Sequence, residues 1–522
     1  MSRINTNVTS LIAQRVLGQN NEGLSLSLER LSTGLRINRG KDDPAGLIAS
    51  QNLRAEKAAL GTAISNAERA DQVVNIAEGG LDEVSGLLTE LQSLVTQTAS
   101  DAGLSVEEKQ ANQLQIDSIL QTIDRVAGAT SFQGLKLLNG NLDYNTESVN
   151  ANVQSFRVNG AKLNFEGTRD VDVVVTGSAQ VGGFYLSFGA GNLNLGGAGS
   201  ADGASSRFVI EIAGTEGSRE LSFASGTSTA DVVAAINSFS DVTGVKAAAS
   251  GTGGITLKSS GFGSDEFVSV RVVDAGSINT AQATAGVYEF QSANTGAAST
   301  VGADRTLFSA ASNKITDVGQ DLAATINGIS ATTKGTVARI NTDFLDVEID
   351  LKTGTSSGAE AQRLGAVTAF TITGGGADFL LAGRADIAGK VSLGISNVTS
   401  RAVGRYNDGS SNFFLSDLGA GRDLNVVDGD LSKAQTVVEN AIREVGSLRG
   451  RLGAFQKNTI GATIRSLGVA LENTSAAESV VRDADFASET ADLTRSQILS
   501  ASAQQILTLA NSQPQAALQL LG

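Results

Sequence analysis

The chain has 522 residues, a formal net charge of −15, 60 glycines, 4% aromatic residues, and neither cysteine nor histidine. That length predicts about three to four domain-sized units with thin aliphatic cores, while the missing thiols and imidazoles exclude disulfides, thiolate or imidazole catalysis and the commonest transition-metal sites. The acidic balance argues against nucleic acid or an anionic membrane as the main partner.

Helical periodicity runs from the start to about Gly140. Leu17, Leu24 and Leu31 keep heptad spacing and, interleaved with Leu28 and Leu35, form one apolar stripe. After a break at "RGKDDPAG", Val74, Leu81, Leu88 and Val95 occupy one heptad position and Ala77, Val84 and Leu91 the other, the pattern of a coiled-coil seam. A helix over 65–99 would be about 50 Å long, and each member of its Gly79-Gly80 pair should cost on the order of 1 kcal/mol unless packing compensates. A turn at "SDAG" leads to Ser105-x-x-Glu108, a capping box, and to a third helix with Ile116, Ile119, Ile123 and Val126 on one face.

Between roughly 145 and 425 the period drops to two. "SRFVIEIAG", "RELSFAS", "GGITLKSS", "FVSVRVVDAG", "FLDVEIDLK" and "AFTITGG" read as strands, "TADVVAAINSF" as a short helix, and "GGAGSADGASS" as a loop. The region is one or two β-rich insertions. Beyond it, Val438, Ala441, Val445, Leu448, Leu452 and Phe455 resume heptad spacing, and Ile460, Ile464, Leu467 and Leu471 continue in a shifted phase, as at a stutter. A last helix follows "RDADF", with Leu493, Ile498, Ile506, Leu507 and Leu509.

Two distant ends that both carry seams most simply pack on each other. The expected fold is therefore α+β multidomain, a long antiparallel coiled-coil helical bundle built from both termini with a β-rich central insertion. The stripes admit two uses, an intramolecular bundle or an intermolecular interface. Segments 1–40 and 482–522 favour the second, being amphipathic, rich in Ala, Ser, Gln and Asn, and short of large apolar surface to bury alone.

Proline occurs only twice, at Pro44 and Pro514, where average usage would give about 26. Pro44 fits the first helical position, with Asp43 as N-cap, and its scarcity elsewhere suits long helices that an interior proline would interrupt at about 3 kcal/mol. Asp42 and Asp43 are a charged helix start rather than a catalytic pair. "GRADIAGKV" is not a phosphate loop, because its glycines are one residue too far apart and Val391 replaces the metal-binding hydroxyl. No cofactor, metal site or catalytic residue is expected, and no stretch reaches the roughly 18 apolar residues of a membrane span. The start lacks the apolar run of a cleaved signal peptide, so the default reading is cytoplasmic unless a dedicated machine exports the chain.

The ends resemble bacterial flagellins. The likeness rests on "INTNVTSLIAQRVL", "LERLSTGLRINRGKDDPAGLIAS" and "IDRVAGATSFQGLKLLNG" at the start, and on "RGRLGAFQKNTI", "VALENTSAAESVVRDADFASETADLTRSQIL" and "LANSQPQAALQLLG" at the finish. In the middle, "TADVVAAINSFSDVTGVKAAASGTGGITLKSS" is similar to a strand-and-helix module of flagellins and related axial proteins.

The resemblance implies a non-enzymatic subunit of the flagellar filament, exported unfolded through the flagellar type III apparatus and added at the distal tip. It implies an extracellular homo-polymer served by an export chaperone, a cap and hook-junction proteins, with no nucleic acid or membrane partner. The absence of cysteine suits threading through an export channel. Its expected domains are a terminal coiled-coil core (1–40 and 482–522), a helical shell (41–175 and 405–481) and β-rich outer domains (176–404). The assembly seam is expected at Val74, Leu81, Val84, Leu88, Leu91, Val95, Val438, Val445, Leu448, Leu452 and Phe455, and terminal packing at Leu17, Leu24, Leu28, Leu31, Leu35, Leu493, Ile506, Leu518, Leu520 and Leu521. The alternatives are a hook–filament junction protein, or an adhesin displayed through the insertion. The receptor-facing segment corresponds to "LTELQSLVTQ", but Glu90 stands where sensed flagellins have arginine and Gln115 where they have glutamate. Although Leu94 and Gln97 are retained, these departures put recognition by the Toll-like receptor for flagellin in doubt.

Overall fold

The computed structural model describes residues 6–521 except 101–102, 164–166, 190–191, 196–206, 252, 277, 279–283, 292–296, 355–361, 363, 388 and 408–410, with the backbone alone described for 514–521. The loop expected at 196–206 lies outside the described residues. The chain divides into two compact units, one made of Met1–Gly79, Phe379–Val391 and Arg449–Gly522, the other of Gly80–Asp378 and Ser392–Leu448. The shell expected at 41–175 and 405–481 is therefore shared between both units.

Three helices open the chain: α1 (Val8–Thr33), α2 (Pro44–Thr98) and α3 (Val106–Ala129). Pro44 is the first residue of α2, and the Asp43 carboxylate accepts the Gly46 N–H at 2.9 Å, as an N-cap should. The capping box of α3 closes in both directions, with Ser105 N donating to Glu108 at 2.7 Å and Glu108 N to Ser105 Oγ at 3.2 Å. A Cβ at Gly80 would fall 2.6 Å from Thr130 Oγ1 and 2.8 Å from Leu138 Cδ1, so the absence of a side chain lets the 130–138 segment close on α2.

The second unit holds two β cores, one inserted in the other. In the first, a five-stranded sheet containing Tyr144–Glu147, Arg169–Gly177 and Gly365–Gly375 faces a four-stranded sheet containing Val153–Ala161 and Leu345–Leu351. Val171, Val173, Val347, Ile349, Phe370 and Ile372 meet between them. Strands from 144 to 177, on the near side of the division expected at 175/176, pair with strands of the insertion.

The second core is entered after Gly177 and left before Ala323, with Gln180 bridged to Gln320 where the chain passes in and out. One of its sheets runs in the order Arg305–Thr306, Gly286–Glu289, Gly183–Ser187, Gly254–Ser259, Val245–Ser250. The other contains Ile315–Val318, Phe267–Asp274, Arg207–Ala213 and Ser218–Ala224. Helix α4 (Thr229–Asn237) adds Val232 and Ile236 to a core centred on Phe188, Phe208 and Phe308.

The C-terminal part is α5 (Leu431–Ala454), a π-helical turn Phe455–Ile460, α6 (Gly461–Arg482) and α7 (Phe486–Leu521). The π-turn lies where the sequence expects a stutter, since its wider winding shifts the apolar phase without breaking the backbone ladder. It also ends the deep packing. Phe455 and Ile460 are buried, and no residue of α6 is.

Candidate assembly surface

The eleven residues assigned to an assembly seam are buried within the single chain. Leu81, Val84, Leu88, Leu91, Val438 and Leu452 are at 0% exposure, and Val74, Val95, Val445, Leu448 and Phe455 reach at most 9%. Ile116, Ile123 and Ala127 of α3 are equally closed off. In the first unit the α2 and C-terminal segments are tied by Arg449 to Glu78 at 2.9 Å and by Gln456 to Asp71 and Asn75, each at 2.9 Å. Of the two uses the stripe admits, this burial favours the intramolecular one. An apolar side chain already removed from water gains nothing from a neighbouring molecule, so the stripe holds the monomer together and another surface must be offered outward.

That surface lies on α1 and α7, which pair antiparallel in the first unit. Leu17, Leu24 and Leu31 of α1 and Leu493 and Leu507 of α7 share the heptad seam of this contact and are half-buried there, while the fully buried places go to smaller or polar residues. The buried positions are small or polar: Ser10, Ala13 and Ser27 on α1, and Glu489, Ser500, Ala503 and Ala510 on α7. Such residues let two helix backbones approach closely and bond across the gap. Ser10 Oγ donates to Asn511 Oδ1 at 2.7 Å, Ser500 Oγ donates to Asn21 Oδ1 at 2.8 Å, and Arg30 pairs with Glu489 at 3.7 Å. Asn7 has two roles. Its Oδ1 caps α1 by accepting from Ser10 N, and its Nδ2 donates to Ala510 O at 2.7 Å. Ala510 is the carbonyl four residues before Pro514, which has no N–H to give it, so Asn7 satisfies an acceptor that the second proline leaves open.

Of the expected terminal packing residues, Leu17, Leu24, Leu31, Leu35 and Leu493 are half-buried, while Leu28 and Ile506 face solvent. The side chains of Leu518, Leu520 and Leu521 lie outside the described residues. The large apolar groups are left on the outside. Val8, Leu11, Ile12, Val16 and Leu28 of α1, and Phe486, Ile498, Leu499, Ile506 and Leu509 of α7, are 38–62% exposed. In the same unit, Ile48 on α2 and Val469 and Val480 on α6 are also open to water, at 65%, 58% and 81%. In the same region α6 is held to α2 by polar contacts, Glu478 meeting Arg54 at 3.5 Å and Lys57 at 3.4 Å. A monomer rarely leaves so many large apolar side chains open on adjoining elements unless a partner covers them.

The two connections that carry this surface brace one another. Gly34, at φ 72°, ends α1 in the left-handed region. Arg36 N then donates to Arg482 O at 2.7 Å and Ala484 N to Gly34 O at 2.9 Å, so the α1–α2 and α6–α7 joints form a short ladder. Asp42 accepts the Arg39 and Asn38 N–H groups at 2.7 and 3.1 Å, and the Arg39 bond leads the influences that hold its carboxyl below the usual range. Both aspartates of "KDDP" are thus spent on the backbone. Of the residues weighed for receptor recognition, Glu90, Gln97 and Gln115 are exposed, whereas Leu94 is 7% exposed.

Terminal helices and nested antiparallel β cores make this an α+β multidomain protein. Residues 4–143 match the bacterial flagellin N-terminal helical region, 435–521 the bacterial flagellin C-terminal helical region, and 207–261 the flagellin hook IN motif. The chain is 28% identical to flagellin B of Helicobacter pylori and 27% identical to flagellin D of Vibrio anguillarum, in each case over 99% of both chains. A solved structure of FliC from Burkholderia pseudomallei has 14% identity and a TM-score of 0.23, covering 74% of this chain and 99% of that one. The chain belongs to the bacterial flagellin family, the structural subunits of the flagellar filament.

Proposed function

We propose that this chain polymerises by burying the open apolar face of α1 and α7, extended by Ile48, Val469 and Val480, against the same surfaces of neighbouring copies. The observation that carries the reading is that α1 and α7 pair with small or polar residues at their most buried positions while ten large apolar side chains on the two helices stay exposed. Completing the burial of each such side chain gains about 1 kcal/mol, so the ten on the two helices supply on the order of 10 kcal/mol toward assembly. Ordering and assembly are then linked by mass action. Residues 1–40 and 482–522 act as the core of the filament. Likeness to flagellins along the whole chain supports the filament role over that of a hook–filament junction protein. Family membership supports a non-enzymatic, extracellular protein exported through the flagellar type III apparatus and served by a chaperone, a cap and junction proteins.

Electron microscopy of purified protein after seeding should show filaments, and protein that stays monodisperse at high concentration would overturn the reading. In dissolved monomer, limited proteolysis should remove α1 and α7 first and leave the second unit intact, because the terminal pair has few large buried residues to slow local opening. Termini as resistant as the β cores would count against it. Glu90 and Gln115 are solvent-facing, so a reporter-cell assay for the Toll-like receptor should give a weak response that Glu90→Arg strengthens. Full potency in the unaltered protein is the contrary result.

A further inference from the structure

Two chain crossings, 178–182 and 319–322, join the second β core to the first. Compact bodies linked so thinly move against each other by default. Here the joint has a third contact. Loop 260–266, between the strands Gly254–Ser259 and Phe267–Asp274 of the second core, reaches across to the first, where Phe262 packs against the apolar cluster that contains Val173, Ile349 and Phe370. There it meets the turn between Thr332–Lys334 and Val337–Asn341 of the first core.

Backbones touch at this crossing because side chains are left out. A Cβ on Gly319 would stand 2.5 Å from both Gln180 O and Gly263 O. Gly263 lies at φ 115°, which side chains rarely allow, and its Cβ position is 2.8 Å from Gly335 Cα. The close approach is used for hydrogen bonds. Gln180 N donates to Gln320 O at 2.8 Å and Gln320 N to Gln180 O at 3.0 Å, while Gly263 N donates to Gln180 O at 3.1 Å and Leu322 N to Gly335 O at 2.9 Å.

Asp321 stands in the middle. Its Oδ1 accepts the N–H of Ser264 at 3.1 Å and that of Gly335 at 2.7 Å, and its Oδ2 accepts the Ser264 hydroxyl at 2.6 Å. One carboxylate on the outgoing crossing thus holds a loop of the second core and a turn of the first at once. Burial opposes its charge, but the bonds from Ser264 and Gly335, with the Lys334 ammonium nearby, outweigh that and keep the carboxyl below its usual range. Bonds to an ionised carboxylate are roughly twice as strong as neutral ones. An ion pair spans the same gap, Lys334 with Asp265 at 2.9 Å, but these side chains are 82% and 69% exposed, and such pairs contribute little.

We propose that Asp321 is the pin of a locked joint, holding the second β core at one orientation on the first so that the insertion is a single rigid arm rather than two domains on a hinge. Whatever the outer core displays then keeps one direction relative to the inner one. This goes beyond polymerisation and uses none of the residues assigned to it.

The chain has no cysteine, so spin labels attach only where cysteines are introduced. Glu220→Cys on the second core and Asn341→Cys on the first are exposed positions away from the joint. Double electron–electron resonance on the full-length labelled monomer should give one narrow distance distribution. Adding Asp321→Ala should broaden it by at least about twofold, as expected of a freed hinge. Should Asp321→Ala lower the melting temperature of the cores, Ser264→Ala, which keeps the carboxylate and removes one of its bonds, decides the matter at unchanged melting temperature by a smaller broadening. Lys334→Ala should leave the distribution as it was. The proposal is overturned by a broad distribution in the parent protein, by unchanged width in both Asp321→Ala and Ser264→Ala, or by equal broadening in Lys334→Ala and Asp321→Ala.

Discussion

Leu88→Asp is expected to unfold the helical part of its unit before any question of polymerisation arises, and Leu452→Asp to do the same in the other. Both positions are at 0% exposure. Each change forfeits about 1.5–3 kcal/mol of leucine burial and places an unpaired carboxylate, or a costly neutral acid, in a dry core. Together these terms reach several kcal/mol, a large share of the roughly 5–15 kcal/mol that holds a typical domain. Thermal melting of the purified monomer should fall by more than about 10 °C, with early loss of protease resistance. A variant that melts like the wild type yet fails to polymerise would restore the intermolecular role first expected for this stripe.

The complementary experiment is Ile498→Asp combined with Ile506→Asp. These side chains are 62% and 58% exposed, so the monomer should fold and melt as before. In a packed subunit contact each aspartate replaces a buried isoleucine with a charge that has no assigned partner, at a cost of about 2 kcal/mol or more. The critical concentration for seeded growth should therefore rise by at least about 100-fold. Normal filaments from this double variant, seen by electron microscopy, would remove α1 and α7 from the proposed surface. The two experiments separate residues that build the subunit from residues that join it to others.

The helices were legible because their signals are local and repeated. Heptad spacing marked Leu81, Leu88 and Val95, the Ser105–Glu108 pair marked a start, and the phase change near Phe455 marked the π-turn. What heptads cannot state is which side of a molecular boundary their partner lies on, so the same stripe reads equally as a seam between subunits or as the interior of one chain. The α1–α7 contact was legible only in part, through Leu17, Leu24 and Leu31, because the serines and alanines that fill its fully buried places, Ser10, Ala13, Ser27, Ser500 and Ala503, carry little hydrophobic periodicity. Among strands, Phe267–Asp274 and Leu345–Leu351 stood out by β-branched alternation, whereas Val245–Ser250 is mostly alanine and lysine, and Val153–Ala161 shifts register against its partner. The Asp321 joint gathers Ser264 and Gly335 from 57 and 14 positions away, visible only once the two cores are folded together.

Asn7 and the carbonyl of Ala510 meet across 503 positions of chain. A ribosome releases α1 first and its companion last, so the opening helix must wait through almost the entire synthesis for the group that completes it. Closing a loop of that size costs on the order of 5 kcal/mol in entropy, which the interior folds and the braced joints at Leu35 and Asp483 help to offset. A product cut short before Phe486 would have an intact middle but only half of the adhesive face, and so would be left out of the growing polymer. The fold thus inspects its own length before the molecule is put to use.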